Sequence, residues 1–289
     1  MRILFVIPHY YGPGPIQYGS TDVSQRKRRA ESLQTCIASL HQQFGQRQYL
    51  LLHDGQARNV NQQNINMLDI VICVTGTHHL LDDLVLPQDS FRTHSCELED
   101  PRFLGFTTYD VYRESVDKYD WYCYLEDDVV INDPLFFYKL DLFYTTVADA
   151  RYLLQPSRFE LGAVSEPGKT YIDGPLWADS AKFMKELRLP GCKDEIRIPF
   201  GEFSFRMTPA ENPHSGCFFL TPAHLLHMLE QPWYGESAVG YAGPLESAAT
   251  MYIMTLFHVF KPADECISFL EVHHNYQKYV KDQIYAKTN

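Results

Sequence analysis

A chain of 289 residues, 45% hydrophobic and 21% charged, is long enough to bury a sizeable core and has the composition of a globular protein. Its net charge of −11 argues against nucleic acid as a partner, and it means that an anionic ligand would need a local positive charge. The seven cysteines are scattered without a C-x-x-C pair, and no segment approaches the ~20 apolar residues of a membrane span, so we expect a soluble, cytoplasmic protein.

The first half of the chain alternates short apolar runs with segments whose apolar residues recur at helical spacing. The apolar runs predict strands at residues 3–7, 49–53, 68–75 and 121–125, of which 3–7 and 68–75 are expected to be buried. The helical segments lie at residues 33–44, 106–116 and 134–147. Strands that alternate with helices indicate a doubly wound α/β fold, in which helices flank a mostly parallel sheet.

The second half, after Pro156, is rich in loops and in turns that contain glycine and proline. Its predicted elements are strands at 217–220 and 267–272, a helix that begins at Pro222, and a helix at 245–260. We therefore interpret the chain as two parts, residues 1–156 and 157–289, that share one sheet.

Three consecutive acids, Glu126, Asp127 and Asp128, follow the strand predicted at 121–125. Ligands of open α/β sheets bind outside the carboxyl ends of the strands, which is where these acids lie. Two carboxylates about 5 Å apart repel each other by roughly 3 kcal/mol at an effective dielectric constant near 20. A hard divalent cation, Mn²⁺ or Mg²⁺, would remove this repulsion and could bridge to a diphosphate. The alternative is a solvated acidic turn that caps the helix opened by Pro134.

The segment from Tyr124 to Phe137, Tyr-Leu-Glu-Asp-Asp-Val-Val-Ile-Asn-Asp-Pro-Leu-Phe-Phe, resembles the metal-binding DxD region of GT-A glycosyltransferases. It is closest to the Glu-Asp-Asp variant of some inverting N-acetylglucosaminyltransferases. The resemblance implies a GT-A-like (Rossmann-like) fold with a nucleotide-sugar-binding half, 1–156, and an acceptor-binding and catalytic half, 157–289. It also implies an enzyme that transfers a sugar, with inversion, from a nucleotide-diphosphate sugar to a hydroxyl group of a carbohydrate or other acceptor. We expect the donor to be a UDP-sugar.

The same resemblance assigns the metal ligands. The last acid of the triplet ligates the metal in the family, which assigns Mn²⁺ or Mg²⁺ to Asp128 and leaves Glu126 and Asp127 to contact the ribose or metal-bound water. Many GT-A enzymes place a further histidine, as a metal or phosphate ligand, where this chain has His273 and His274. Neighbouring side chains of a strand point to opposite faces, so only one of them can serve, and we prefer His273. A surface histidine is the alternative.

The nucleotide base is expected between the loop after the first strand and the end of the second. The loop residues are Pro8, His9 and Tyr10, and the acid that ends the second predicted strand is Asp54. This loop differs from the Tyr/Phe-Asn pattern that is common in the family. For Asp54, a solvent-facing turn acid is the alternative.

Two positions of the second half resemble the part of the family that surrounds the sugars. Gly216 precedes the strand at 217–220 and would let the backbone approach the donor sugar, or it only forms a turn. Glu246 stands where the family carries the acid of an xED motif, and it would take the proton of the acceptor hydroxyl. Here the pair is Glu-Ser, and a carboxylate at a helix start is the alternative. Glu236 and Asp173 are the other candidates for this base.

Other interpretations stay open. The basic cluster at 25–29 could steer a diphosphate, be a solvated helix face, or contact an anionic membrane surface. A sugar-nucleotide-forming nucleotidyltransferase would carry Arg and Lys after a glycine-rich loop, and the loop at 12–15 has neither at the expected distance. A non-enzymatic carbohydrate- or calcium-binding module would need neither an acid at Glu246 nor affinity for nucleotides. Sequence does not fix the stereochemistry, so a retaining transferase is a further alternative.

Overall fold

The computed structural model describes residues 1–14, 19–61, 65–162, 167–176, 185–186, 189–237, 239–276 and 278–280. In chain order its strands are β1 (Arg2–Pro8), β2 (Tyr49–Leu51), β3 (Ala57–Asn59), β4 (Met67–Thr75), β5 (Arg92–Cys96), β6 (Trp121–Leu125), β7 (Val129–Val130), β8 (Tyr152–Leu154), β9 (Ser157–Leu161), β10 (Lys169–Tyr171), β11 (Ile196–Phe200), β12 (Phe203–Pro209), β13 (Cys217–Leu220), β14 (His258–Pro262) and β15 (Glu271–His274). The α-helices are α1 (Arg26–Phe44), α2 (Thr108–Glu114), α3 (Phe136–Val147), α4 (Pro222–Leu229) and α5 (Pro244–Leu256). Shorter 3-10 helices span Gly19–Thr21, Val23–Gln25, Leu81–Asp83, Gln88–Ser90, Pro101–Thr107 and Asp264–Phe269. The mixed α/β fold that the sequence predicts is confirmed. Within these ranges no helix combines the length and the apolar character that crossing a membrane requires.

Packing divides the chain into two compact units, each built from two segments. Unit 1 comprises Met1–Pro134 and Phe219–Gly235, and unit 2 comprises Leu135–Phe218 and Glu236–Asn289. The predicted boundary between residues 156 and 157 concerns a division into functional halves, and it stays a prediction.

Unit 1 is built on a sheet with the strand order β13-β6-β1-β4-β5. The part of β13 that belongs to unit 1 begins at Phe219. The β1–β4, β1–β6 and β4–β5 pairs are parallel. From Ile3 to Ile7 the central strand β1 is fully buried, so both faces of the sheet are covered there, which explains its unbroken apolar sequence. The helix α1 buries residues at helical spacing, and its Phe44 ring stacks on that of Phe5 at 6.1 Å. Parallel pairing puts the carboxyl ends of β1, β4 and β6 at one edge of the sheet.

The prediction that residues 49–53 form a strand of this sheet is wrong. They form one arm of a hairpin, in which β2 pairs antiparallel with β3 and every residue of both strands is exposed. Gly55 turns the chain with φ +82°, and the Asp54 side chain accepts a hydrogen bond from the backbone N–H of Gln56 at 3.0 Å. The Asp-Gly pair is a strong turn signal, and it outweighs the short apolar run before it.

Unit 2 contains two smaller groups of strands. In the first, β9 pairs antiparallel with β10 and parallel with β15. In the second, with the order β11-β12-β14-β8, the first two pairs are antiparallel and the last is parallel. The helix α3 begins just after Pro134 and buries one apolar face, formed by Phe136, Phe137, Leu140 and Phe143.

Two predicted boundaries in unit 2 are wrong. The helix predicted at 245–260 ends at Leu256, because Phe257 is extended (φ −129°, ψ 151°) and β14 follows it. The strand predicted at 267–272 is a 3-10 helix, Asp264–Phe269, followed by β15. Both errors have one cause: β14 and β15 contain buried residues, so the apolar sequence continues while the secondary structure changes.

A buried ion network links the two groups of strands in unit 2. Asp173, which follows β10, accepts hydrogen bonds from Arg158 Nε on β9 at 2.9 Å and from Lys261 Nζ on β14 at 2.8 Å. The three side chains are between 4% and 9% exposed. Burial by itself raises the pKa of Asp173, but the charges of Arg158 and Lys261 outweigh it and lower the pKa to about 2.

We expect Asp173→Asn to lower the free energy of unfolding by about 3–5 kcal/mol, because it leaves two buried cations without their counter-charge. In the wild type the folded pKa of about 2 lies below the ordinary value of 3.8, so the ionised form is favoured by folding. This stabilisation is complete above pH 4 and is lost as the pH falls towards 2, an amount of about 2 kcal/mol. Urea unfolding at several pH values measures both effects.

The matched control is Asp149→Asn. Asp149 also pairs with an arginine, but the Arg151 side chain is 67% exposed, so we expect a change below about 1 kcal/mol. Equal losses in the two variants would show that the buried network contributes no more than a surface pair.

Candidate functional site

Polar groups from three strand ends of unit 1, two with side chains and one with its backbone, meet at the carboxyl edge of its sheet. His9 follows β1, Asp127 and Asp128 lie in the turn after β6, and Leu80 lies in the loop after β4. Arg29, in the first turn of α1, contacts both aspartates. We call His9, Arg29, Asp127 and Asp128 the carboxylate network. Because ligands of open α/β sheets bind at this edge, the network is the candidate functional site.

Arg29 forms ion pairs with both acids. Its Nη2 lies 2.5 Å from Asp127 Oδ1, and its Nη1 lies 3.1 Å from Asp128 Oδ2. Arg29, Asp127 and Asp128 are only 9%, 7% and 9% exposed. The planar fork of a guanidinium suits two acceptors placed side by side. Burial opposes the charge and lowers the pKa of Arg29, but the two carboxylates outweigh it and raise the pKa above its ordinary value, so Arg29 stays charged.

His9 completes the network as a neutral side chain. It is fully buried, and its Nδ1 lies 2.5 Å from Asp127 Oδ2. The backbone N–H of Leu80 donates to His9 Nε2 at 3.1 Å, so Nε2 carries no proton and Nδ1–H donates to Asp127. Both carboxylate oxygens of Asp127 therefore have partners within the protein, one in Arg29 and the other in His9.

The carboxylate network has a formal charge of −1, because Arg29 supplies one positive charge to two carboxylates and His9 is neutral. The neighbouring thiol of Cys36 responds to this environment. Burial first, and the charges of Asp127 and Asp128 next, raise the pKa of Cys36 well above its ordinary value, so it stays protonated. Two neighbouring carboxylates in a buried site favour the binding of a cation.

The chemistry of the two aspartates fits a hard divalent cation. Carboxylate oxygens are the ligands that Mg²⁺ and Mn²⁺ prefer, and Mg²⁺ is commonly held by one or two carboxylates together with substrate phosphates. Over the described ranges, no group of three or more His, Cys, Asp or Glu side chains could hold a metal. A metal at Asp127 and Asp128 would therefore need ligands beyond these two side chains, and a bound substrate could supply them.

The other residues predicted to contact the nucleotide lie at different places in unit 1. Pro8 is buried at the end of β1, and Tyr10 is half-buried, with its hydroxyl donating to the Pro13 carbonyl. Glu126 is half-buried at the start of the turn after β6. Asp54 is assigned to the nucleotide base because the sequence predicts that it ends a strand of the main sheet. It lies instead in the turn of the exposed hairpin, so this reason does not hold. The roles of these residues stay predictions.

The two histidines of β15 have different surroundings. His274 is buried, with Nδ1 2.7 Å from a carboxylate oxygen of Glu160, and Glu160 is fully buried. Glu160 also accepts hydrogen bonds from the backbone N–H groups of Lys278, Tyr279 and Val280. His273 stacks on Phe159, with ring centroids 5.2 Å apart, and its Nε2 is buried without a hydrogen-bond partner among the described residues. Burial lowers the pKa of His273, which favours the neutral form that binds metals.

The residues predicted to surround the sugars belong to unit 2, and several of them have structural contacts. Gly216 has φ +61° immediately before β13, a conformation that favours glycine. Glu246 Oε2 accepts a hydrogen bond from the backbone N–H of Gly243 at 3.2 Å, at the start of α5. Asp173, with a pKa of about 2, is a weak base at neutral pH, and Glu236 is exposed. Their proposed functional roles stay predictions.

Arg29 is the site residue that the sequence alone does not single out. It belongs to the basic cluster at 25–29, in which Arg26 pairs with Asp83 and the Lys27 side chain is 88% exposed. One signal in the sequence does distinguish Arg29: it precedes Leu33 by four residues and so continues the buried face of α1. The proposed contact of this cluster with an anionic membrane surface stays a prediction.

Comparisons with known proteins do not place the chain in a family. No protein-family model matches it, and no curated protein matches it significantly. Among solved structures, an active-site mutant of LgtC, a glycosyltransferase, aligns with 90% of this chain and 71% of its own chain, at 12% identity and a TM-score of 0.36. A likeness at this level supports no inference, so the site is interpreted from its own residues.

We expect Asp127→Asn to lower the free energy of unfolding by about 3 kcal/mol. It removes one of the two carboxylate charges that compensate the buried Arg29, and it weakens the acceptor of the His9 Nδ1–H. Urea unfolding at neutral pH measures the loss. Asp83→Asn is the matched control, because Asp83 pairs with Arg26, a half-exposed residue of the helix that carries Arg29. We expect this variant to lose less than about 1 kcal/mol of unfolding free energy. A loss no larger at Asp127 than at Asp83 would contradict this energetic role.

Proposed function

We propose that the protein is a glycosyltransferase that moves a sugar from a nucleotide-diphosphate sugar, for which we expect a UDP-sugar, to a hydroxyl group of a carbohydrate or other acceptor. The observation that supports this most is the carboxylate network at the carboxyl edge of the parallel strands of unit 1. Two adjacent buried carboxylates beside a guanidinium suit a cation and phosphate groups together, as a sugar nucleotide requires. The resemblance of residues 124–137 to the DxD region supports the same function.

A divalent cation, Mn²⁺ or Mg²⁺, is part of the proposal. The carboxylates of Asp127 and Asp128 repel a diphosphate and attract a dication. When bound, the cation would stabilise the negative charge that develops on the leaving diphosphate. Asp128 would hold it, next to Asp127, which pairs with Arg29 and His9. His273 is proposed as a further metal or phosphate ligand, because its buried Nε2 has no hydrogen-bond partner among the described residues.

Glu246 is the proposed general base. In an inverting transfer the acceptor oxygen bonds to C1 of the sugar, the bond from C1 to the diphosphate breaks, and a carboxylate takes the acceptor proton. The Glu246 carboxylate accepts one hydrogen bond, from Gly243, and a carboxylate can accept several. Gly216 is proposed to let the backbone approach the donor sugar. Contacts of Pro8, Tyr10, Asp54 and Glu126 with the nucleotide follow only from the sequence.

The first test of this function is the binding of UDP in the presence of Mn²⁺ to Asp128→Ala. We expect the affinity to fall at least about tenfold, because the variant loses the proposed metal ligand. Calorimetry measures the affinity, and unfolding curves check that the variant is folded. The matched control is Asp120→Ala, which removes a carboxylate at the opposite end of β6, where Asp120 pairs with Arg2. Unchanged UDP affinity in Asp128→Ala would exclude this residue from the donor site.

The base is tested by Glu246→Gln, which keeps the shape of the side chain and an oxygen that can accept from Gly243. We expect kcat to fall roughly 10²–10⁴-fold with little change in the donor KM, because the carboxylate acts in the transition state. A loss of the helix cap alone would lower the melting temperature but not kcat at low temperature, which separates the two roles. NMR of the fresh product should show inversion at C1. Full activity of Glu246→Gln would move the search to Glu236.

A further inference from the structure

The guanidinium of Arg29 lies where a divalent cation shared by Asp127 and Asp128 would bind. Its two terminal nitrogens contact one oxygen of each carboxylate, at 2.5 Å and 3.1 Å. We infer that Arg29 and the cation exclude each other at this carboxylate pair, and that the diphosphate of the donor draws Arg29 away so that the cation can bind. The inference deepens the proposed function and depends on it, since it makes Arg29 a positioning residue that couples metal binding to donor binding.

A cation alone has little chance of replacing Arg29. The displaced guanidinium would lose its two carboxylate partners in a buried region, and it would repel the incoming dication across a short distance in a low dielectric. The Asp127 carboxylate also has a second partner, because His9 bonds to its Oδ2 and is itself held by the Leu80 N–H. Metal binding without donor is therefore expected to be weak.

A diphosphate changes this balance because it offers Arg29 a new partner. Phosphate oxygens match the guanidinium fork as well as carboxylates do. Arg29 lies in the first turn of α1, whose N-terminal N–H groups also favour an anion. In the exchange, the guanidinium passes from carboxylate to phosphate and the cation takes its place between the carboxylates. Every buried charge then keeps a partner of opposite sign, which neither ligand alone can achieve.

The coupling can be measured with Mn²⁺ and UDP as probes. Electron paramagnetic resonance of free Mn²⁺ gives the metal affinity of the wild type and of Arg29→Gln, each with and without saturating UDP. In Arg29→Gln we expect Mn²⁺ without UDP to bind at least about tenfold more tightly than in the wild type, because its competitor is gone. With UDP present the gain should be much smaller, because Arg29 has then already left the carboxylates in the wild type.

The matched control is Lys27→Gln, which removes an equal charge two residues away on the exposed side of α1 and should leave both affinities unchanged. If Arg29→Gln fails to fold, Arg29→Lys replaces it. A lysine keeps the charge but cannot span both carboxylates, so we expect a smaller gain of the same pattern.

Three results would overturn the inference, and they separate it from the proposed function. A gain in Mn²⁺ affinity that is equal with and without UDP would mean that Arg29 stays in place and acts only through space. No gain at all would mean that Arg29 only supports the fold. In both cases the proposed function is retained if the protein binds UDP in the presence of Mn²⁺. Failure of every variant and the wild type to bind UDP, with or without Mn²⁺, would reject the proposed function and the inference together.

Discussion

Two neighbouring carboxylates at the end of a buried strand repel each other, and much of unit 1 is arranged around the relief of that repulsion. The guanidinium of Arg29 connects α1 to the turn after β6, and His9 connects the end of β1 to the same acid, Asp127. The backbone of Leu80 then ties in the loop after β4. One buried network therefore joins three strand ends and a helix, so a change in the contacts of one member alters the contacts of the others.

The features that sequence predicts well are those fixed by local chemistry. The strands β6 and β13 have their predicted bounds, because each is a short apolar run closed by polar or proline residues. The helix α4 begins at Pro222 as predicted, since proline suits the first helical position and the Thr221 side chain caps the helix by accepting from the His224 N–H. The place of Asp127 and Asp128, at the carboxyl end of a strand, follows from the same local pattern.

The features that sequence does not predict depend on partners far away in the chain. Arg29 and Asp128 are 99 positions apart, and nothing in a basic cluster says which member turns inward except its phase with the apolar face of the helix. The apolar run before Asp54 has no neighbour in the sheet and folds back into a hairpin. His273 and His274 are adjacent in sequence, and only tertiary contacts separate the one that bonds Glu160 from the one that stacks on Phe159.

Among the residues that the structure describes, we compare three settings of buried carboxylates, which differ in their partners and in their place in the fold. Asp173 lies between two cations, Arg158 and Lys261, and this network links the two groups of strands in unit 2. Glu160 is met by a histidine and by backbone N–H groups, the usual way to satisfy a fixed anion. In the carboxylate network of unit 1, two neighbouring acids share the guanidinium of Arg29. This network lies at the edge where α/β sheets bind ligands, so its position and its pair of acids distinguish it from the two networks of unit 2 and make it the candidate for ligand binding.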